Sequence, residues 1–491
     1  MTPRENGSRN APQGRNGRRR RLLLKRKSRG FIRNGRDVLV RFFGNIHSPI
    51  RIESAVKQGQ ILIFLSFLGL IAIGTLLLKL PCAMRGNAVL PWIDALFTAT
   101  SASCVTGLTT VNTADFSFFG KAVITLLMEI GGIGIITLST AILIAFGKRL
   151  SCDRQEMIAK VTDCFSLWGS DGLFVAVIIY TLTCEAIGFV VIYTGAVCGG
   201  HGWLDSIGES VMLSVAGFCN AGFAPFPDNM TGQPRLCQLG CALLGIFGGL
   251  GVFVVYDLLR HLKELLLAIW KPGKKKKIVP VSLHTRIMLW GTAILLFGGM
   301  FLLFAFEKDI TLFDAFFMSA SSRTAGFYCC DIRTDAGYDL ITWLMTIGGG
   351  SGGTAGGVKI TTIVIIAASI INTSIGNREV YLFKRTISRE TVTRSFAFFT
   401  HFLTVAFASC IWLEILYPQH NADGMYFEIV SALSTTGLSV GIAEELEAGG
   451  KAILCLLMYT GRVGPMTFLL FLFGRENLKR KNYPKGDVAI G

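Results

Sequence analysis

The chain has 491 residues, of which 51% are hydrophobic and only 16% charged, with a mean hydropathy of +0.53 and a net charge of +16. A soluble protein would carry about a quarter charged residues, so a soluble enzyme or soluble binding domain is excluded and an all-α integral membrane protein is expected. The thirteen cysteines form no CxxC pair and the six histidines show no metal-ligand spacing, so neither a disulfide framework nor a metal site is expected.

Residues 1–55 form a basic arm. Residues 1–41 hold fourteen Lys or Arg against Glu5 and Asp37. Beside a membrane domain such an arm reads as a cytoplasmic segment that fixes topology and touches anionic lipid rather than nucleic acid. The first apolar run starts too late for a cleavable signal. Eight runs then approach the roughly 20 residues that cross a bilayer: 61–80, 122–146, 173–198, 237–259, 287–306, 340–371, 396–417 and 452–473. If they alternate, the basic clusters at Lys148-Arg149, 260–277, 378–394 and 475–485 share one side. Asp115, Asp228, Asp331, Asp335, Asp339, Asp423, Glu444, Glu445 and Glu447 share the other. The positive-inside rule then puts both termini in the cytoplasm.

Between the long runs lie four short glycine-centred segments, Cys104-Val105-Thr106-Gly107-Leu108, Cys219-Asn220-Ala221-Gly222-Phe223, Arg323-Thr324-Ala325-Gly326-Phe327 and Thr435-Thr436-Gly437-Leu438. Their glycines fall 115, 104 and 111 residues apart. Each follows an apolar stretch too short to span, at 92–102, 204–215, 312–321 and 425–433. The pattern predicts four tandem units of outer helix, pore helix, filter strand and inner helix, at 56–160, 161–280, 281–390 and 391–475, with a cytoplasmic tail at 476–491. Arranged pseudo-fourfold around one pore, the strands aim carbonyls inward to replace an ion's hydration shell. The pore-helix C-termini favour a cation there. Units one and four share Ser-Ala-x-x-x-Thr-Gly-Leu, starting at Ser101 and Ser431.

The run 340–371 is interrupted by Gly348, Gly349, Gly350, Gly352, Gly353, Gly356 and Gly357, followed by Lys359. Each glycine costs a helix about 1 kcal/mol relative to alanine, and non-helical backbone at membrane depth lines a cavity or is buried in protein. A movable segment under the filter, inside the pore, is therefore expected. The letters of a dinucleotide fingerprint and of a near Walker A are present, but both need a soluble strand and helix as flanks. Arg462, in Gly461-Arg462-Val463-Gly464-Pro465, is a charge inside the last span and thus a functional candidate.

These strands, with Gly131-Gly132-Ile133-Gly134, Gly248-Gly249-Leu250-Gly251 and Thr354-Ala355-Gly356-Gly357-Val358-Lys359, resemble the Ktr/Trk/HKT superfamily of potassium transporters, and the eight-span layout resembles its KtrB-type pore subunit. The resemblance covers roughly residues 55–475. It implies potassium uptake across a bacterial plasma membrane by a homodimer, regulated by a cytosolic ring of RCK-type nucleotide-binding subunits. K⁺ would meet carbonyls of Val105, Thr106, Gly107, Asn220, Ala221, Gly222, Thr324, Ala325, Gly326, Thr435, Thr436 and Gly437. A serine in place of Gly107 would go with sodium permeation. The same resemblance implies an intramembrane gating loop at 348–357, an Arg462 facing the pore below the filter, and a Glu185 partnered by an Arg or by pore-helix backbone. Glu129 stands where glutamine is expected. No organic cofactor and no nucleic-acid partner is expected, and an enzyme is excluded by the lack of a nucleophile–base pair. Obligate K⁺/Na⁺ or K⁺/H⁺ symport stays open as an alternative, with Glu129 the carboxylate available for coupling.

Overall fold

A computed structural model describes residues 49–147, 169–270 and 280–464. Most of the basic arm, Lys148-Arg149, the lysines at 274–277 and the tail at 476–491 lie outside the described residues. The described residues from Ile63 onward belong to one compact unit.

The chain is mostly helical. A long helix α1 (Pro49–Leu78) is followed by a short α2 (Trp92–Cys104), the Gly107 segment, and a long α3 (Phe118–Gly147). The next stretch runs α4 (Gly169–Cys198), α5 (Asp205–Cys219), the Gly222 segment, α6 (Arg235–Leu250) and α7 (Val252–Trp270). Then come α8 (Leu283–Phe306), α9 (Leu312–Ser321), the Gly326 segment, α10 (Asp335–Thr346) and α11 (Ile360–Ser374). A hairpin of β1 (Val380–Leu382) and β2 (Arg385–Ile387) leads to α12 (Arg389–Leu416), α13 (Ala422–Ser434), the Gly437 segment, the single turn α14 (Ile442–Glu445) and α15 (Ala448–Val463). The hairpin is a small departure from an all-α chain; Phe383 and Lys384 turn it with positive φ, as two-residue hairpin loops require.

Apolarity is distributed as lipid solvent demands. Trp290, Ile294, Phe297 and Phe301 on α8, and Ile411, Trp412 and Ile415 on α12, are exposed. Ser101, Ser103, Thr106, Ser319, Ser321, Ser431 and Ser434 are buried in the centre. Among the described residues, three helices are long and apolar enough to cross a membrane, Ala176–Cys198, Leu283–Phe306 and Arg389–Leu416, and α6 with α7 adds a fourth if that bent pair is one span.

That bent pair corrects the continuous run expected at 237–259. The helix breaks at Gly251, whose φ of 85° and ψ of 151° no helix accommodates, and the two halves meet at 93°. The break is fixed by packing: a methyl on Gly251 would lie 3.0 Å from the carbonyl carbon of Gly352. The interruption of 340–371 is where glycine content placed it, between α10 and α11. The last helix ends at Val463, with Gly464 at φ 96°, and the remainder of 452–473 lies outside the described residues.

Each of the four short helices carries an aspartate in its first turn, Asp94, Asp205, Asp314 and Asp423, where a carboxylate favours the helix N-terminus. Two of them tie neighbouring stretches together. Asp94 Oδ1 accepts from Lys451 Nζ of α15 at 2.8 Å, and Asp314 pairs with Arg235 at the start of α6. Asp314 also closes a capping box with Thr311.

Candidate ion-conducting site

All nineteen residues of the four glycine-centred segments are buried. Three of the segments leave their short helix the same way. Val105, Asn220 and Thr435 adopt left-handed φ of 56°, 60° and 52°. The next residue donates back to the helix, Thr106 to the Ser101 carbonyl at 2.8 Å, Ala221 to Ala216 at 2.8 Å and Thr436 to Ser431 at 2.9 Å. These are Schellman ends, which satisfy the last helical carbonyls. Left-handed backbone is costly for β-branched Val105 and Thr435, and such strain is kept where a fold over-determines it. In the third segment α9 ends on a right-handed Ser322 and Thr324 takes the positive φ, at 86°. Arg323, buried behind it, donates from Nη1 to the Thr292 carbonyl at 3.0 Å and so braces the segment against α8.

The four glycines approach one another in a closed order. A methyl on Gly107 would lie 2.9 Å from Gly222 Cα, one on Gly222 3.0 Å from Gly326 Cα, one on Gly326 3.3 Å from Gly437 Cα, and one on Gly437 2.8 Å from Gly107 Cα. All four have positive φ. The N–H groups of Gly107 and Gly437 are held by Ser101 Oγ at 3.1 Å and Ser431 Oγ at 3.0 Å. The hydroxyls of Thr106, Thr324 and Thr435 are buried without a hydrogen-bond partner. Long helices close onto this cluster through glycine: a methyl on Gly131, Gly248 or Gly461 would strike the carbonyl oxygen of Ser103, Phe218 or Leu433 respectively. Each of those carbonyls lies four residues before a segment glycine.

The glycine-rich stretch 348–357 is packed under the segments; Ser351 alone is partly exposed. Gly348 donates to Val358 at 3.0 Å, Gly350 to Gly249 at 2.7 Å, and Thr354 to Gly248 at 3.1 Å. Thr354 Oγ1 donates to the Phe218 carbonyl at 2.9 Å and accepts from Asn220 Nδ2 at 2.8 Å, which couples the stretch to the second segment. Gly356 sits against the Ser434 carbonyl and the Thr435 hydroxyl. Arg462, 5% exposed, joins this stretch to α3, donating to the carbonyls of Thr354 and, at 3.1 Å, Gly131. Lys359 Nζ donates to the Ala355 carbonyl.

One expectation changes. Among the described residues, Glu185 of α4 has neither an arginine nor pore-helix backbone as partner; it faces Glu129 of α3 and Cys219. The helix break at Gly251 and the four first-turn aspartates went unread in the sequence. Gly248-Gly249-Leu250-Gly251 carried the first signal and the aspartates, 12 to 17 residues before each segment glycine, carried the second.

Residues 47–478 match the TrkH family, described as cation transport protein. The chain belongs to the TrkH family of cation transporters. It is 35% identical over 450 residues to Ktr system potassium uptake protein B of Vibrio alginolyticus, covering 88% of this chain and 94% of the relative. Identity is 32% to the Ktr system potassium uptake protein B of Bacillus subtilis strain 168, covering 86% of this chain and 94% of the relative. It is 33% to the potassium/sodium uptake protein NtpJ of Enterococcus hirae, covering 88% and 96%. The fold is similar to the crystal structure of the potassium transporter TrkH from Vibrio parahaemolyticus, with TM-score 0.65 and 18% identity over 85% of each chain. As a TrkH-family chain it is a membrane protein, and the relatives it matches are named as ion uptake proteins.

Proposed function

We propose that the protein is a potassium uptake pore in which the four glycine-centred segments form one selectivity filter, built from four tandem units in pseudo-fourfold order. The observation that carries this is the closed sequence of glycine approaches, 107 to 222 to 326 to 437 and back. Such closure brings all four segments to one axis. There, carbonyls of Val105, Thr106, Gly107, Asn220, Ala221, Gly222, Thr324, Ala325, Gly326, Thr435, Thr436 and Gly437 can replace water around K⁺. The three unpartnered threonine hydroxyls fit a cation as well.

Residues 348–357, with Lys359 and Arg462, form the gate. Their hydrogen bonds to the second segment, to α6 and to α15 hold it shut, and ion passage requires some of them to open. A gate needs a ligand with different affinity for its two states. The family resemblance supplies a cytosolic RCK-type nucleotide-binding ring acting on a homodimer in the plasma membrane, with both termini cytoplasmic. Coupled K⁺/Na⁺ or K⁺/H⁺ symport is the second reading, favoured by the Glu129–Glu185 carboxyl pair beside the second segment.

Reversal potentials of the purified chain in liposomes, under K⁺, Na⁺ and pH gradients, test both. A potential that follows the K⁺ gradient alone, and a roughly tenfold fall in K⁺ over Na⁺ preference in Gly107→Ser, are the expected outcomes. Unchanged ion preference in that variant overturns the filter, whereas a potential that shifts with the Na⁺ or pH gradient replaces the channel-like mechanism with symport.

A further inference from the structure

Beside the filter lies a second group of chemically active side chains that the conduction path does not use. Glu129 on α3, Glu185 on α4 and Cys219, the last residue of α5, bring one donor atom each within 4.8 Å of one another. Among the described residues no other group of three His, Cys, Asp or Glu donors is this close. Cys219 is fully buried and Glu185 is 7% exposed. Cys219 Sγ lies 3.8 Å from Glu129 Oε2, while Glu185 Oε1 is buried with no hydrogen-bond partner. Room for the sulfur is provided by Gly132, where a methyl would lie 2.5 Å from Sγ.

We infer that Glu129, Glu185 and Cys219 form a site for a thiophilic divalent cation of the zinc class, placed to act on the second filter segment. Two carboxylates this close, Glu185 buried and Glu129 partly so, repel one another and are expensive to take out of water. A divalent cation offsets that charge, and the unpartnered Glu185 oxygen then gains a ligand. The donor set decides the class: thiolate with carboxylate suits Zn²⁺ or Cd²⁺ and is poor for Mg²⁺ or Ca²⁺. In a tetrahedral zinc site the donors stand roughly 3.4–3.6 Å apart, so the sulfur–carboxylate separation of 3.8 Å needs little adjustment. As the metal–sulfur bond forms, the thiol proton leaves to solvent. The three donors sit on three different helices, and Cys219 is covalently joined to Asn220. A bound metal would therefore pin the second segment to α3 and α4. Slower ion flux is the consequence, and that half of the inference rests on reading the segment as a filter.

The binding half is tested without flux. Cd²⁺ titrated into the purified full chain in detergent should give a thiolate-to-cadmium charge-transfer absorbance that is larger, by one equivalent of metal, in the parent than in Cys219→Ser. The difference cancels the contribution of the exposed Cys82 and Cys198. Zn²⁺ should displace it. Glu185→Gln should weaken this tight equivalent at least tenfold, and Glu129→Gln should do the same. Equal absorbance in parent and Cys219→Ser overturns the site. Unchanged affinity in both glutamine variants also overturns it, leaving a carboxyl pair that shares a proton. For the coupling, each protein's K⁺ flux in liposomes is normalised to its own flux in chelator. Zn²⁺ should slow the parent several-fold and leave Cys219→Ser unaffected. Full binding with no change in flux would overturn the coupling while the site stands.

Discussion

Glycine is dense both in the four filter segments and in the stretch 348–357, but it solves different problems in the two. In the segments every glycine combines positive φ with a neighbouring segment's backbone at van der Waals distance. The supporting hydrogen bonds are local, running from each segment to its own short helix. In the stretch only Gly352 and Gly357 have positive φ. Of the others, Gly348 makes room for Gly356 within the stretch, while Gly349 and Gly353 admit Gly249 and Gly356 admits Ser434, backbone from far away in sequence. One region is stiffened by its own repeat unit. The other is held by contacts to the second segment, α6, α13 and α15, and the proposed gating would release some of them.

The comparison is broken most severely at the filter. Gly437→Ala puts a methyl against the Thr106 oxygen and 2.8 Å from Gly107 Cα. K⁺ uptake should fall by more than tenfold while the protein still inserts. Gly376→Ala is the control, because Gly376 has a φ of 86° and nothing within 4 Å of the added methyl. Left-handed backbone alone costs a non-glycine residue about 1–2 kcal/mol, so the control should express less well yet keep most of its uptake. Equal losses in the two variants would mean that dihedral strain, rather than closure of the glycine ring, sets the requirement.

Arg462→Ala comes next. It removes the donors to the Thr354 and Gly131 carbonyls; Gly131 stays within the α3 hydrogen-bond ladder, whereas the Thr354 carbonyl is left buried and unpaired among the described residues. Such an orphaned group costs about 1–3 kcal/mol, and the stretch recovers that energy by moving where water reaches it. K⁺ flux without any cytosolic regulator should rise about five- to tenfold, with Arg462→Lys in between. A flux no greater than the parent's, in a variant that folds, places the gate elsewhere.

The same contrast explains what the sequence made legible. The four glycine-centred segments were readable because their determinants are local and occur four times: a short apolar helix, a Thr/Ala-Gly pair, a fixed place between long runs. The interruption at 348–357 was readable because no helix tolerates seven glycines in ten residues. Its docking partners were not, since nothing about Gly248 or Gly249 alone says that their carbonyls accept from Thr354 and Gly350. The bend at Gly251 hid for the same reason. Hydropathy runs straight through it, and the cause is a contact with Gly352, 101 residues away. Glu185 was matched by analogy to an arginine or to pore-helix backbone, whereas it lies beside Glu129 and Cys219, which are 56 and 34 residues away in sequence.

Thr354→Val should produce a smaller effect than Arg462→Ala, and its direction sharpens the comparison. Valine keeps the shape of threonine but removes the Oγ1 donor to Phe218 and the acceptor for Asn220 Nδ2. The backbone bond from Thr354 N–H to Gly248 remains. A lost hydrogen bond of this kind is worth about 0.5–1.5 kcal/mol, so unregulated flux should rise roughly two- to fivefold if the stretch acts as a releasable plug. Asn220 belongs to the filter as well as to the contact, and that creates a second readout. If Thr354 serves the gate alone, flux rises and K⁺ over Na⁺ preference stays constant. If it also shapes the second segment, preference falls with the rise in flux, and the two glycine-dense regions act as one coupled element. Reversal potentials and flux measured on the same liposomes separate these outcomes.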